Sequence, residues 1–283
     1  MTTLQKIIKY GAIAFGTYLS FMIISGIILV FTTIFGITIG IEQWQSNTTQ
    51  EIEIQNITQE YENVENLEID IALCRLTIQK GDKLKVEASH VSEKMECKME
   101  NNTLQIKDKK MDTAWFQNLD TVPEVVISIP ENTKLETVEI KTGVNNTKIE
   151  NLECEKIEIE AGVGQCEIRS IIAKEANIKG GAGKTIIEEM TVDELDLEAG
   201  IGDMIFTGEI LQKADVDSGV GKLEFNIVGN KDEYQLKAKT GLGNFLVDNQ
   251  KVKDNQTIGN GEKTVKIKAG VGATIVNFKD KTI

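Results

Sequence analysis

The chain has little of what most catalytic and metal sites are made from. It contains 1 histidine, His90, which leaves almost no room for His-dependent triads or multi-His metal sites. Its 4 cysteines are Cys74, Cys97, Cys154 and Cys166, with no Cys-x-x-Cys spacing. That argues against zinc and thioredoxin-like chemistry, and four are too few for a disulfide scaffold of this size. Two readings stay open for them: Cys74 and Cys97 pair across neighbouring strands, or all four pack as small hydrophobes. Aromatics make up 5% and there are 2 prolines, so the chain is neither collagen-like nor compositionally disordered. Positive charge is also in deficit, with 31 Lys+Arg against 44 Asp+Glu and a net charge of −13. Such a chain repels phosphate backbones, so nucleic acid is not an expected partner.

What is present begins with a long apolar run. Tyr10 to Ile41 carries no charged residue, more than the roughly 20 residues that cross a bilayer. Two spans and a turn do not fit, so one transmembrane helix is expected. Lys6 and Lys9 precede it, while acids follow and the next positive residue is Arg75. The positive-inside rule then places residues 1–9 in the cytoplasm and everything after Ile41 outside. A cleaved signal peptide is the rival reading, but its apolar stretch would be about 7–15 residues with a small-x-small site, and this run ends in Ile39-Gly-Ile-Glu42. Gly36 and Gly40 form one Gly-x-x-x-Gly pair, either a helix contact or the ordinary glycine content of membrane helices. Residues 42–66 are polar and read as a tether.

The strongest signal is a repeat. Lys141-Thr-Gly-Val-Asn145, Glu160-Ala-Gly-Val-Gly164, Lys179-Gly-Gly-Ala-Gly183, Glu198-Ala-Gly-Ile-Gly202, Asp217-Ser-Gly-Val-Gly221, Lys239-Thr-Gly-Leu-Gly243 and Lys268-Ala-Gly-Val-Gly272 share one pattern. Their first glycines, Gly143, Gly162, Gly181, Gly200, Gly219, Gly241 and Gly270, are spaced 19, 19, 19, 19, 22 and 29. Apolar residues stand five and three before that glycine (Ile157 and Ile159, for example), one after it (Val144, Val163, Ala182, Ile201, Val220, Leu242, Val271), and four and six after it (Ile187 and Phe206 among them). Steps of two mean strand. The step of three reads as a corner that resets the pleat.

The expected fold is therefore mainly β: a single-stranded β-helix, or β-solenoid, with ~19-residue coils over 131–283. Each strand lies on its equivalent in the next turn, and all the apolar register positions point inside. The glycine pairs, including Gly164, Gly183, Gly202, Gly221, Gly243 and Gly272, sit at the corner, where φ > 0 or the lack of Cβ is needed. One turn cannot stand alone, so neighbours supply its stability. The longer spacings read as surface excursions near Gly229–Glu233 and Asp248–Glu262. Residues 67–130 are also strand-like and read as outer turns that cap the N-terminal end.

A single span, then Val-Ile-Ser-Ile-Pro-Glu-Asn-Thr-Lys-Leu over 126–135, then tandem Ile-x-Ile-x-x-Gly-x-Gly coils resembles the bacterial "putative adhesin" domain-of-unknown-function family of LiaG-like and YvlB-like envelope proteins. The resemblance covers about 67–283. It implies a β-helix-like fold and a link to the cell envelope, in some members beside stress-sensing systems. It supplies no catalytic residues.

Candidate chemistry is sparse. Gly180-Gly-Ala-Gly-Lys-Thr185 lacks the leading glycine of a phosphate loop and has Ile178 there instead; Ile186 and Ile187 continue a strand, so no nucleotide is expected. Gly200-Ile-Gly-Asp203 lacks the nine-residue period of calcium repeats. Outward acids such as Glu158, Glu160, Glu167, Asp196, Glu198, Asp203, Asp215 and Asp217 read as a solvated face rather than a Ca²⁺ column. A polysaccharide-acting enzyme needs convergent carboxylates; here the acids recur by register, and the coils hold one arginine, Arg169. Trp115 and Phe116 are a candidate partner contact; the other reading is that their segment covers an open end of the coil. The expectation is a membrane-anchored extracytoplasmic protein without cofactor or metal. It would work by binding or scaffolding, either as an adhesin-like surface module or as a regulator beside an envelope sensor or transporter.

Overall fold

Alternation of apolar and polar side chains at a period of two produces strand after strand in the computed structural model, which describes residues 54–108 and 121–280. The expected membrane helix over 10–41 and the residues Trp115 and Phe116 lie outside the described residues. Among the described residues no helix is long and apolar enough to cross a membrane.

In chain order the strands are β1 Ile54–Glu60, β2 Asn66–Leu73, β3 Arg75–Gly81, β4 Lys85–Ser92, β5 Met95–Glu100, β6 Thr103–Asp108 and β7 Glu124–Pro130. They continue as β8 Lys134–Glu160, β9 Val163–Lys179, β10 Ala182–Glu198, β11 Ile201–Asp217, β12 Val220–Val228, β13 Tyr234–Lys239, β14 Leu242–Val247, β15 Gln250–Lys251, β16 Gln256–Ile258, β17 Lys263–Lys268 and β18 Val271–Lys279. The domain is mainly β and β-solenoid-like. The long strands bend: each turn has one run before the glycine corner, a second after it and a third beyond a further bend.

The parallel ladder advances 19 residues per turn, as in Thr147↔Cys166, Cys166↔Thr185 and Thr185↔Met204. The positions five and three before the glycine, and four and six after it, point inward; Ile140, Ile157, Ile187, Leu197, Phe206 and Phe225 are all fully buried. The second bend carries a column of left-handed residues, Asn151, Ser170 and Glu189, with φ of 56°, 55° and 54°.

Order in space departs from order in sequence at both ends. The last turn, β17 and β18, does not follow β13 and β14. It inserts between them and the preceding turn: β17 pairs with β11 and β13, and β18 pairs with β12 and β14. The first turn, β2 and β3, likewise sits between β8 on one side and the rung of β6 and β7 on the other. Sequential stacking was the expectation, and it holds only for the interior turns. The physical reason lies in the connections. After Val228 the chain crosses Gly229–Glu233 and resumes one rung further on, and the returning last turn completes the ladders between. Ser218 fastens that joint, accepting from the Gly270 N–H at 2.8 Å and bonding the Thr274 hydroxyl at 3.2 Å. Asn226 continues it, accepting from Asn277 Nδ2 at 2.9 Å.

The segments between these turns are not plain surface excursions. They form antiparallel strands along the exposed edges: β5 on β6 and β4 on β7 at one end, β16 on β13 and β15 on β14 at the other. Antiparallel covers of this kind blunt an edge that otherwise invites strand addition. Two of these pairings turn through consecutive left-handed residues, Asn101-Asn102 between β5 and β6 and Asp248-Asn249 between β14 and β15, the backbone that two-residue hairpins prefer. The polar segment read as a tether contains strand β1, which pairs antiparallel with β4. Parallel rungs already begin at Asn66, so residues 67–130 contribute rungs as well as a cap.

A candidate binding surface along the glycine corner

The glycines at the corner form two columns, and each column has its own reason for lacking a side chain. In the first, a Cβ on Gly181 would lie 1.7 Å from the Gly162 carbonyl oxygen; close approach of rungs forbids it, and of this column only Gly219 also has a positive φ, +55°. In the second, Gly183 combines a φ of +145° with a Cβ position 1.9 Å from the Gly164 oxygen. Gly143, Gly162, Gly200, Gly219, Gly241 and Gly270 share the first column, and Gly164, Gly202, Gly221, Gly243 and Gly272 the second. Between the columns the backbone is pinned. The N–H groups of Ala182, Ile201, Val220, Val271 and Leu242 donate to the first glycine of the neighbouring rung at 2.8–2.9 Å.

Those pinned residues are the apolar positions one after the glycine, expected inside the core. The structure corrects this. Ile201 is 60% exposed, Val220 and Val271 48%, and Leu242 76%. Leu73, Val144 and Val163 are half-buried in the same column. They line up as Leu73–Val144–Val163–Ala182–Ile201–Val220–Val271–Leu242 by direct ladder pairing. At ~4.8 Å per strand the ridge runs on the order of 30 Å. The signal was present in the sequence as parity. A step of three between this position and the next apolar one places the two on opposite faces of an unbroken strand; read as a bend, it pointed the wrong way.

The other candidates behave as structural residues. Thr185 is buried in β10 and paired with Cys166 and Met204, and the strand continues past it, so no phosphate loop forms. Arg169 is engaged with Glu188. Among the described residues no group of three or more His, Cys, Asp or Glu is placed to hold a metal ion. The four cysteines are free thiols. Burial pushes Cys74, Cys154 and Cys166 up to about 12 and Cys97 up to about 11, which keeps them protonated and unreactive at neutral pH. Asp108 is held above the usual carboxylate range by burial, with one buried oxygen lacking a hydrogen-bond partner.

No curated protein matches the chain. Among solved structures it is similar to a "putative adhesin" from Bacteroides fragilis (16% identity, 79% of this chain and 97% of that one, TM-score 0.45). It is also similar to a "putative cell adhesion protein" from Clostridium sporogenes (14%, 80% and 100%, 0.36), and to a "putative lipid binding protein" from Parabacteroides distasonis (18%, 79% and 96%, 0.42). The model of one family, described as Toastrack DUF4097, matches residues 64–276; with three quarters of its length and its glycine-cornered coil inside that match, the chain belongs to the Toastrack family.

Proposed function

We propose that the chain is a non-catalytic binding or scaffold protein of the bacterial cell envelope. Residues 10–41 anchor it in the membrane, and the β domain lies on the extracytoplasmic side. The observation that carries the binding role is the apolar ridge. Its side chains are held outward at fixed ladder spacing by backbone hydrogen bonds and backbone-crowded glycines, so its shape needs no ordering when a partner arrives. Isolated exposed apolar residues are ordinary, but a continuous row marks a contact surface. The occupant is the apolar edge of another envelope protein. The uncharged run with Lys6 and Lys9 before it supports the anchor and its orientation.

The test is photo-crosslinking from position 201 of the full-length chain in intact membranes. The reading expects a discrete protein adduct that disappears in the Val220→Lys/Leu242→Lys variant. An adduct to a sensor kinase or transporter specifies the regulatory role, and adducts to surface or matrix proteins specify the adhesin-like one. No adduct, or a hydrolase or lyase activity abolished by replacing one acid, overturns the proposal.

A further inference from the structure

On the outer face formed by the first run of each turn, side chains repeat in two rows. Across the last rungs one row reads Asp196, Asp215, Lys266, Lys237, Thr257 by direct pairing. In the second row Asp217 pairs with Lys268 and Lys268 with Lys239. The inserted last turn thus sets four lysines in a two-by-two block, in a chain whose net charge is −13. They lie in a surface cavity of about 530 Å³ whose lining also includes Asp196, Asp215 and Asp217 at its far side from Lys237 and Lys239 by ladder order, within the range of small-molecule sites.

The lysines of this face elsewhere have a carboxylate. Lys107 pairs with Glu68, Lys141 with Glu139 and Lys179 with Glu160. Within the block, Lys266 reaches Asp215 at 3.3 Å and Lys268 reaches Asp217 at 2.5 Å. Lys237 and Lys239 form no ion pair among the described residues. Like charges on adjacent strands are destabilising, and among the described residues no carboxylate forms an ion pair with the outer two. The nearby acid of the cap, Asp254, forms no ion pair with either lysine. Asp254 is committed to the corner, accepting from the Thr240 N–H at 3.0 Å and its hydroxyl at 3.3 Å. That bond holds the cap loop in place beside the lysines, where Asn255 and Thr257 add neutral polar groups to the lining.

We propose that this cavity binds a phosphate-bearing ligand, with Lys237 and Lys239 as the charged contacts and Asn255 and Thr257 as hydrogen-bonding partners. The two lysines stand two residues apart on β13, roughly 6.6 Å along the strand, close enough for both flexible side chains to converge on one phosphate group. Phosphate of this kind comes either from a free polyanion or from a lipid headgroup. The site is independent of the ridge and of the anchor.

The experiment is calorimetric titration of the full-length chain in a neutral detergent with short-chain polyphosphate, and separately with short-chain phosphatidylglycerol against phosphatidylcholine. Saturable binding is expected to weaken at least tenfold in Lys237→Gln/Lys239→Gln, to survive in Lys237→Arg/Lys239→Arg, and to be unchanged in Lys184→Gln on another run. Affinity falls as salt rises. Binding of polyphosphate identifies a free polyanion; binding of phosphatidylglycerol alone identifies a headgroup. Equal affinity in the wild type and the Gln double variant, or no binding of either phosphate probe, overturns the proposal.

Discussion

The rings of Phe206 and Phe225 stack one rung above the other, with centroids 4.5 Å apart and planes 14° from parallel. Both are fully buried, and both stand six residues after their corner glycine. The stack ends at the next rung, where Val276 occupies the same column.

Truncating this pair is expected to be costly. Phe225→Ala should destabilise the domain by about 3–5 kcal/mol, while Phe225→Leu, which keeps most of the volume, should cost far less. Denaturant unfolding followed by circular dichroism reads both. Equal losses would show that the column is not packed as described.

The glycine corner is expected to tolerate no side chain where rungs approach. Gly181→Ala places a Cβ 1.7 Å from a backbone oxygen, which only movement of the rung relieves. The expected loss is more than about 3 kcal/mol, at the upper end of overpacking effects. Ala182→Ser, one residue on and exposed, should change stability by less than about 0.5 kcal/mol. The same unfolding curves decide it.

The ridge and the core answer differently to polar or smaller side chains. Ile201→Ser and Leu242→Ser should leave the melting temperature nearly unchanged, since both residues already face water. Ile187→Ala, fully buried, should cost about 2–5 kcal/mol. A large loss at Ile201 would return that residue to the core and remove the proposed contact surface.

Asp108 makes stability depend on pH in a defined direction. Burial raises its folded-state pKa, so the folded protein favours the neutral acid. Its contribution is present below the ordinary carboxylate range and is lost as pH rises through the raised value. Asp108→Asn should therefore melt higher than the wild type at neutral pH, and the gap should close as pH falls toward about 4. A gap that stays constant with pH would contradict the burial of that carboxylate.

Much of this architecture is legible in the residues themselves. The period of 19, the inward pairs such as Ile157 and Ile159, and the glycine corner follow from alternation and spacing alone. The ridge points inward only if the three-residue step between Val163 and Cys166 resets the pleat; in the structure the in-out alternation carries through Gly164, whose φ is +139°, and leaves Val163 on the outer side. The order of the rungs at both ends is not written in the pattern. Gly219, Gly241 and Gly270 carry the same local signature, and nothing in it says which neighbours which. That choice is made by long-range contacts, such as those of Ser218 and Asn226 with the last turn. The lysine block escaped notice for the same reason, since Lys237 and Lys266 meet only through the inserted rung.

The most direct test of the stack is therefore crosslinking between rungs. Val220 pairs with Val271, and Val271 pairs in turn with Leu242. Adjacent strands lie ~4.8 Å apart and alternate ones about twice that, while a disulfide needs Cα atoms within about 7 Å. Val220→Cys/Val271→Cys should form an intramolecular disulfide under mild oxidation, and Val220→Cys/Leu242→Cys should not. The reverse outcome would place the turns in sequence order, and the inserted rung, with the lysine block it creates, would be wrong.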